Sequence, residues 1–438
     1  MEPIVEHSRP YRILYFCFFG FLITSFFSIS LNQGFLALCV AVWLYGLIRK
    51  TPDISFYRSG LERHIAVFVG VSVFVAFLSP MVVQNLQWMG DHLLAVAFFV
   101  TASVVSTRED LARVIKALVV IAMVSSVAGI VQLATGIDFS ATWVRFAKTG
   151  SLAPVYGKDL VEGLLGLKLS YGGYMMTIML PLAYLSFARP DEVRGWSRLP
   201  VRVGAVISFV AVVISWTRSA LVALPAAAFP LFFKRKKLFV AIMLIIIVVV
   251  MLVLSMFGQG SAKRIIGPDG VNVHADSVRD FFVWTLNLGS PGRVLIWQTA
   301  TRVWLKHPVF GAGGAHYYEV YKEVMAEHPD EQPPMISHAH NDYLNMLARK
   351  GIVGFAAFIY LLAGLFRYMV VNLRDIRDRA ARLLYMGLFA SLCCFCAAML
   401  FQCYFSDDKN VVMFWFVAGL LAAIVKIERA EREAEGAS

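Results

Sequence analysis

A few arginines and one pair of histidines carry the chemistry that this sequence offers. Arg218 stands in Ser215-Trp216-Thr217-Arg218-Ser219-Ala220, between two apolar runs. An arginine near membrane depth is costly unless it has a partner or a water-filled cavity. One that merely snorkels to the interface needs no Ser/Thr-rich reversal around it. Arg293 follows Ser290-Pro291, a pair that fits a helix N-cap and first helical position. Unpaired N–H groups and the positive end of the helix dipole gather in that first turn and favour an anion. A guanidinium there adds bidentate hydrogen bonds, which suits a diphosphate. Arg302 is a rival nine residues further on. That is about two and a half turns, so it points to the opposite side of a regular helix, and the two arginines do not easily serve one site. Lys263, Arg264 and Arg279 read as solvated.

The densest cluster is Ser337-His338-Ala339-His340-Asn341-Asp342-Tyr343. Histidine takes a proton near neutral pH, as a general base must, and this pair lies in a loop leading into an apolar run. Asn341 fits the N-cap of a helix through Arg349. That favours His338 over His340 as the base, because His340 adjoins the cap and His338 is freer to meet an acceptor. The pair with Asp342 lacks the further Cys, His or Asp ligands that a metal needs, and no outward loop holds an Asp-x-Asp pair. Neither a metal nor a cofactor is expected. Gly311-Ala312-Gly313-Gly314 follows no strand and lacks the Lys-Ser/Thr ending of a phosphate loop, so it reads as a tight turn after His307-Pro308.

The elements that must position these residues are membrane helices. Of the 438 residues 59% are apolar and 16% charged, and apolar stretches recur from end to end. The fold class is an all-α polytopic membrane protein, residues 1–438 forming one membrane domain. About twelve spans are expected, near 13–30, 33–48, 65–83, 88–106, 112–134, 169–188, 201–217, 219–233, 238–256, 352–371, 383–403 and 410–426. The net charge of +11 sits in short loops as a topology signal, which argues against nucleic acid. Basic loops alternate with nearly bare ones, so both termini and the basic set face the cytoplasm. Two longer connections, 135–168 and 257–351, then face outward. The second opens with Gly258 and Gly260 and is large enough to fold over the membrane. It holds one helix from Arg293 to Lys306, with Ile296, Ala300 and Val303 at helical spacing, and another from Tyr317 to Glu327. The six cysteines lie in apolar runs or at their ends and read as small buried residues.

With these pieces in place, the sequence resembles the O-antigen ligase and polymerase superfamily. The resemblance rests on Ser215–Ala220, on Arg293 through His307-Pro308-Val309-Phe310-Gly311-Ala312-Gly313, and on His338 through Gly351-Ile352-Val353-Gly354. It implies glycan transfer from undecaprenyl diphosphate at the periplasmic side of a bacterial inner membrane, inverting and without metal. Arginines would hold the diphosphate and a histidine would deprotonate the acceptor hydroxyl. The family's His-Asn pair maps onto His340-Asn341, against the preference for His338. The single large loop and the short tail after Lys426 favour a ligase, with lipid A-core as acceptor, over a polymerase or a protein O-oligosaccharyltransferase. A membrane transporter is the alternative of a different class. It should show polar or broken spans at mid-depth, whereas the spans here read as nearly unbroken.

Overall fold

The computed structural model describes residues 8–87, 89–149, 153–156, 161–192, 195–233, 235–247, 292–328 and 337–437. Gly258, Gly260, Lys263, Arg264, Arg279, the Ser290-Pro291 pair and the end of the expected ninth span lie outside these residues. Among the described residues the chain is helical without strands, apart from one isolated antiparallel bridge between Ile137 and Tyr156. Among the described residues five helices are long and apolar enough to cross a membrane: Ile29–Ile48, Arg108–Thr135, Asp342–Asn372, Arg379–Ala398 and Asp408–Gly436. At other expected positions stand the helices Arg9–Thr24, Glu62–Leu78, Lys168–Leu185 and Arg198–Ile214, and an apolar helical run Arg218–Phe232. These fall short of the length or hydropathy of those five.

The helix from Asp408 is the axis of the bundle. Its apolar window is 94% buried, against 28% for Ile29–Ile48 at the rim. Val96–Val104, Arg379–Ala398 and Lys168–Leu185 pack around it. Lipid tails are as apolar as leucine, so helices in a membrane gain little from hydrophobic burial against each other, and polar ties matter more. Ser391 Oγ donates to Thr177 O at 2.8 Å, and the Tyr174 and Ser25 hydroxyls meet at 2.6 Å. At one end of the bundle an ion-pair cluster joins three of the basic loops. Arg108 pairs with Glu428 and Glu431 and lies 3.7 Å from Asp378, while Arg379 pairs with Glu192 at 2.8 Å. Loops expected on one face are thus brought together.

Two expectations are corrected. The expected span 88–106 is not one helix: after Val82–Gln87 the chain forms the short helices Gly90–Leu93 and Val96–Val104. Polar side chains hold it open there. Asn85 Nδ2 donates to Pro80 O, Asn85 Oδ1 accepts from Ala315 N at 2.8 Å, and Lys350 donates to Ser72 Oγ at 2.8 Å and meets His92 Nε2. The reading of nearly unbroken spans therefore fails at this stretch. Second, the short helix expected from Asp342 to Arg349 and the span expected at 352–371 form one helical run, Asp342–Asn372, broken in its path at Gly351.

Candidate active site

A short connection organises the site. Residues 399–407 link the helix Arg379–Ala398 to the helix from Asp408, and four residues from three separate parts of the chain bond to it. Asp342 N donates to Met399 O at 2.9 Å, while the Asp342 carboxylate accepts from Phe405 N at 2.7 Å and Ser406 Oγ at 3.2 Å. His340 Nδ1 lies 3.0 Å from Gln402 Oε1, and Arg293 Nη1 donates to Phe401 O at 2.9 Å. The Ser219 and Tyr404 hydroxyls share a hydrogen bond of 3.0 Å. Backbone polar groups buried away from water need partners, and here the partners come from chain-distant segments.

Each candidate side chain has a local reason for its place. Asn341 caps its helix as expected, its Oδ1 accepting from Leu344 N at 3.1 Å. His340, one residue earlier, has φ 47°, and Trp216, two residues before Arg218, has φ 55°. Non-glycine residues seldom hold such angles, and strain of this kind gathers at functional turns. Thr217 Oγ1 donates to Lys168 O at 2.8 Å, which ties the Arg218 turn to the start of the helix Lys168–Leu185. Arg293 lies in the first turn of the helix Gly292–Lys306. That helix seats Ile296, Ala300 and Val303 inward, all at most 3% exposed, as their spacing predicts. Arg302 is half-buried further along the same helix, and the contacts that join this helix to Phe401 run through Arg293.

Gly311-Ala312-Gly313 does form a turn, with a role that spacing did not disclose. It is strapped to the break in the Asp342–Asn372 run by backbone bonds: Ala312 N to Ala348 O and Gly313 N to Arg349 O, both 2.9 Å, and Ile352 N to Pro308 O, also 2.9 Å. Gly311 (φ 71°) and Gly351 (φ 63°) lie back to back, and a Cβ on either would fall within 2.3 Å of the other strand's backbone. Only glycine fits both the angles and the gap.

Electrostatics bind the cluster together. Burial lowers the Arg293 guanidinium pKa, and the Arg218 charge lowers it further. Lys168 is lowered by burial, then by Arg218, is partly restored by Glu162 and is lowered again by Arg293. Three cations therefore lie within reach of one another, with the Glu162 carboxyl beside Lys168. The arrangement favours an incoming anion, whose charge relieves their repulsion. His340 is lowered by burial, partly restored by Gln402 and lowered again by Arg293. His338, its ring 4.3 Å from that of His340, is pushed down to about 4 by burial, then by His340 and Arg349. Both imidazoles are neutral near pH 7. With Gln402 Oε1 as acceptor, His340 carries its proton on Nδ1 and presents the Nε2 lone pair.

Residues 203–359 match the family described as O-antigen ligase. This match supports a likeness of the segment to the O-antigen ligase superfamily. The matched segment holds Arg218, Arg293, Arg302, His338 and His340. It supports a glycosyltransferase of the ligase and polymerase kind, acting on lipid-linked glycans, in a multi-pass membrane protein. No curated protein gave a match to the chain. Sequence reasoning missed Lys168, Gln402 and the 399–407 connection, which lies beyond the ligase segment. A signal was present: Gln402, Ser406 and Asp407, with Asp408 and Lys409 just after them, make this stretch far more polar than the bare outward turns around it. Among the described residues no three His, Cys, Asp or Glu side chains are placed to hold a metal ion.

Proposed function

We propose that the protein is an O-antigen ligase that moves O-antigen glycan from undecaprenyl diphosphate to lipid A-core at the periplasmic face of the bacterial inner membrane. The observation that carries this reading is the pairing of His340, held by Gln402, with Arg293, held by Phe401 O, on one short connection. A base and an anion holder are thereby fixed side by side. Arg218, Arg293 and Lys168 bind the diphosphate, and Arg302 remains the outer candidate on the helix. The acceptor hydroxyl attacks the anomeric carbon from the face opposite the diphosphate, and the configuration inverts. The bond to the diphosphate breaks, the leaving oxygen keeps the electron pair, and the arginines stabilise that charge. The hydroxyl proton passes to His340 Nε2. General-base help of this kind is worth on the order of a hundred- to ten-thousand-fold in rate.

The sequence leans to His338 as the base, whereas the geometry favours His340. His338 is so weakly basic that it takes a proton reluctantly, and a base works best with a pKa near the working pH. The reaction as proposed uses no metal, because the arginines and Lys168 take up the charge of the leaving diphosphate. The test is a reaction of purified protein with undecaprenyl-diphosphate glycan and lipid A-core. Ligated lipid A-core supports the ligase, and glycan lengthened on the carrier would make it a polymerase. Transfer to a peptide hydroxyl would make it a protein glycosylator. No transfer to any of the three acceptors, by protein that still binds the donor, overturns the reading. The broken stretch near His92 and Lys350 is a feature a transporter would share, and transfer in detergent, with no second compartment, separates the two.

A further inference from the structure

The other end of the bundle carries a feature that nothing in the reaction uses. A groove of about 800 Å³ opens between the helices Lys168–Leu185 and Arg379–Ala398, the end of the run Arg218–Phe232 and the helical residues 236–247. This volume falls within the roughly 300–1,000 Å³ of pockets that bury a drug-sized ligand. Its depth is apolar, lined by Leu231, Ile242, Ile246 and Met386. Its mouth carries Arg235, Arg379 and Arg382. Arg235 is exposed and Arg382 half-exposed, while Arg379 spends one N–H on Glu192 at 2.8 Å and reaches towards Phe187 O at 3.5 Å.

The arrangement is sorted by depth. Arg235 follows the end of its helical run, and Arg379 and Arg382 occupy the first turn of theirs. Met386 lies one turn deeper, so cationic groups ring the mouth and hydrocarbon lines the rest. The helix Arg379–Ala398 is 20 residues long and enters the 399–407 connection at its far end. About 30 Å therefore separates this mouth from Arg293 and His340. A diphosphate held at the site cannot also engage these arginines.

We infer that the groove is a site for an anionic diacyl phospholipid of the leaflet at the basic end of the bundle, its phosphate between Arg235 and Arg382 and its chains along the apolar wall. A basic pocket between membrane helices fits an anionic headgroup by charge, and the hydrocarbon below it fits acyl chains by polarity. A neutral zwitterionic headgroup would bring its own ammonium against the same three guanidiniums.

The experiment is native mass spectrometry of the full-length protein in detergent, titrated with phosphatidylglycerol or with phosphatidylcholine. We expect one phosphatidylglycerol to be retained under conditions that strip phosphatidylcholine. Each arginine near an anionic lipid contributes about fivefold, so Arg235→Gln with Arg382→Gln should weaken phosphatidylglycerol binding roughly twenty-five-fold. Arg9→Gln with Arg12→Gln removes the same charge from exposed positions elsewhere and should leave that binding within about twofold. Equal retention of the two lipids overturns the proposal, as does an equal loss in the two double variants. Displacement by sn-glycerol 3-phosphate as effective as displacement by intact lipid would also overturn it, since the apolar wall would then contribute nothing. Thermal melting without added lipid, expected unchanged in both variants, shows that they fold.

Discussion

Replacing Gly351 with alanine tests the lock between the loop and the membrane helix. Gly351 holds φ 63° and ψ −170°, a region essentially reserved for glycine. Forcing another residue to hold it costs about 1–3 kcal/mol. A Cβ there would lie 2.2 Å from Val309 O, 2.3 Å from Val309 C and 2.5 Å from Phe310 N. These are backbone atoms and cannot rotate aside, so the two strands must part. Overpacking of this kind costs roughly 1–3 kcal/mol. Parting them also stretches the bonds from Ile352 N to Pro308 O and from Val353 N to Val309 O, now 2.9 and 3.2 Å. Each is worth about 1 kcal/mol. The expected loss is about 4–8 kcal/mol, a large share of the stability of an ordinary domain. Melting of purified protein in detergent, with Gly70→Ala beside it, reads the result. Nothing lies within 4 Å of a Cβ at Gly70, which sits inside the helix Glu62–Leu78, so that variant should match or slightly exceed the parent. A Gly351→Ala protein that melts with the parent would refute the lock.

The remaining predictions concern the chemistry. Arg293→Lys keeps a charge but cannot bond Phe401 O and the diphosphate together, so transfer should fall about ten- to hundredfold, the worth of one charge-assisted bond. Arg302→Ala should be milder, and the reverse order in a transfer assay would move the diphosphate to the other side of the helix. The base works as neutral imidazole and burial lowers its pKa, so kcat/KM should hold through neutral pH and fall only below about 6.5. Bound diphosphate favours the imidazolium, so the limb in kcat should lie at higher pH. The same acid limb surviving in His340→Ala would remove this histidine from the reaction. Activity should survive excess chelator, and loss restored by a divalent cation would show a metal at work.

Local signals were the readable ones. The helix Tyr317–Glu327 and the Asn341 cap depend on residues a few positions apart, and both stand where spacing puts them. The inward face of Ile296, Ala300 and Val303 was readable for the same reason. What the pattern concealed is what distant backbone decides. The Gly311–Gly351 contact looks in sequence like two unrelated turns, and the 399–407 connection looks like a short outward link. Hydropathy averages over residues 88–106 and so hides His92, which meets Lys350 of another helix, while Asn85, just before that stretch, bonds Ala315 N far along the chain. Lys168 escaped notice because a lone lysine at the start of a span is common, and only the fold sets it beside Arg218.

The axial position of the helix from Asp408 has a consequence for how the protein is made. It comes later in the chain than every helix it packs against, yet its apolar window is 94% buried among them. Helices released earlier into the bilayer therefore wait around an unfilled centre, their facing surfaces covered by lipid or by one another. The ribosome must deliver this helix into the middle of an assembly, not onto its edge. Final packing is then a late, concerted closing, and the 399–407 connection can gather its partners only when that closing is complete. Nascent chains halted before Asp408 should remain membrane-inserted but open to protease and labelling along surfaces that are buried in the finished protein, with the transferase site not yet assembled.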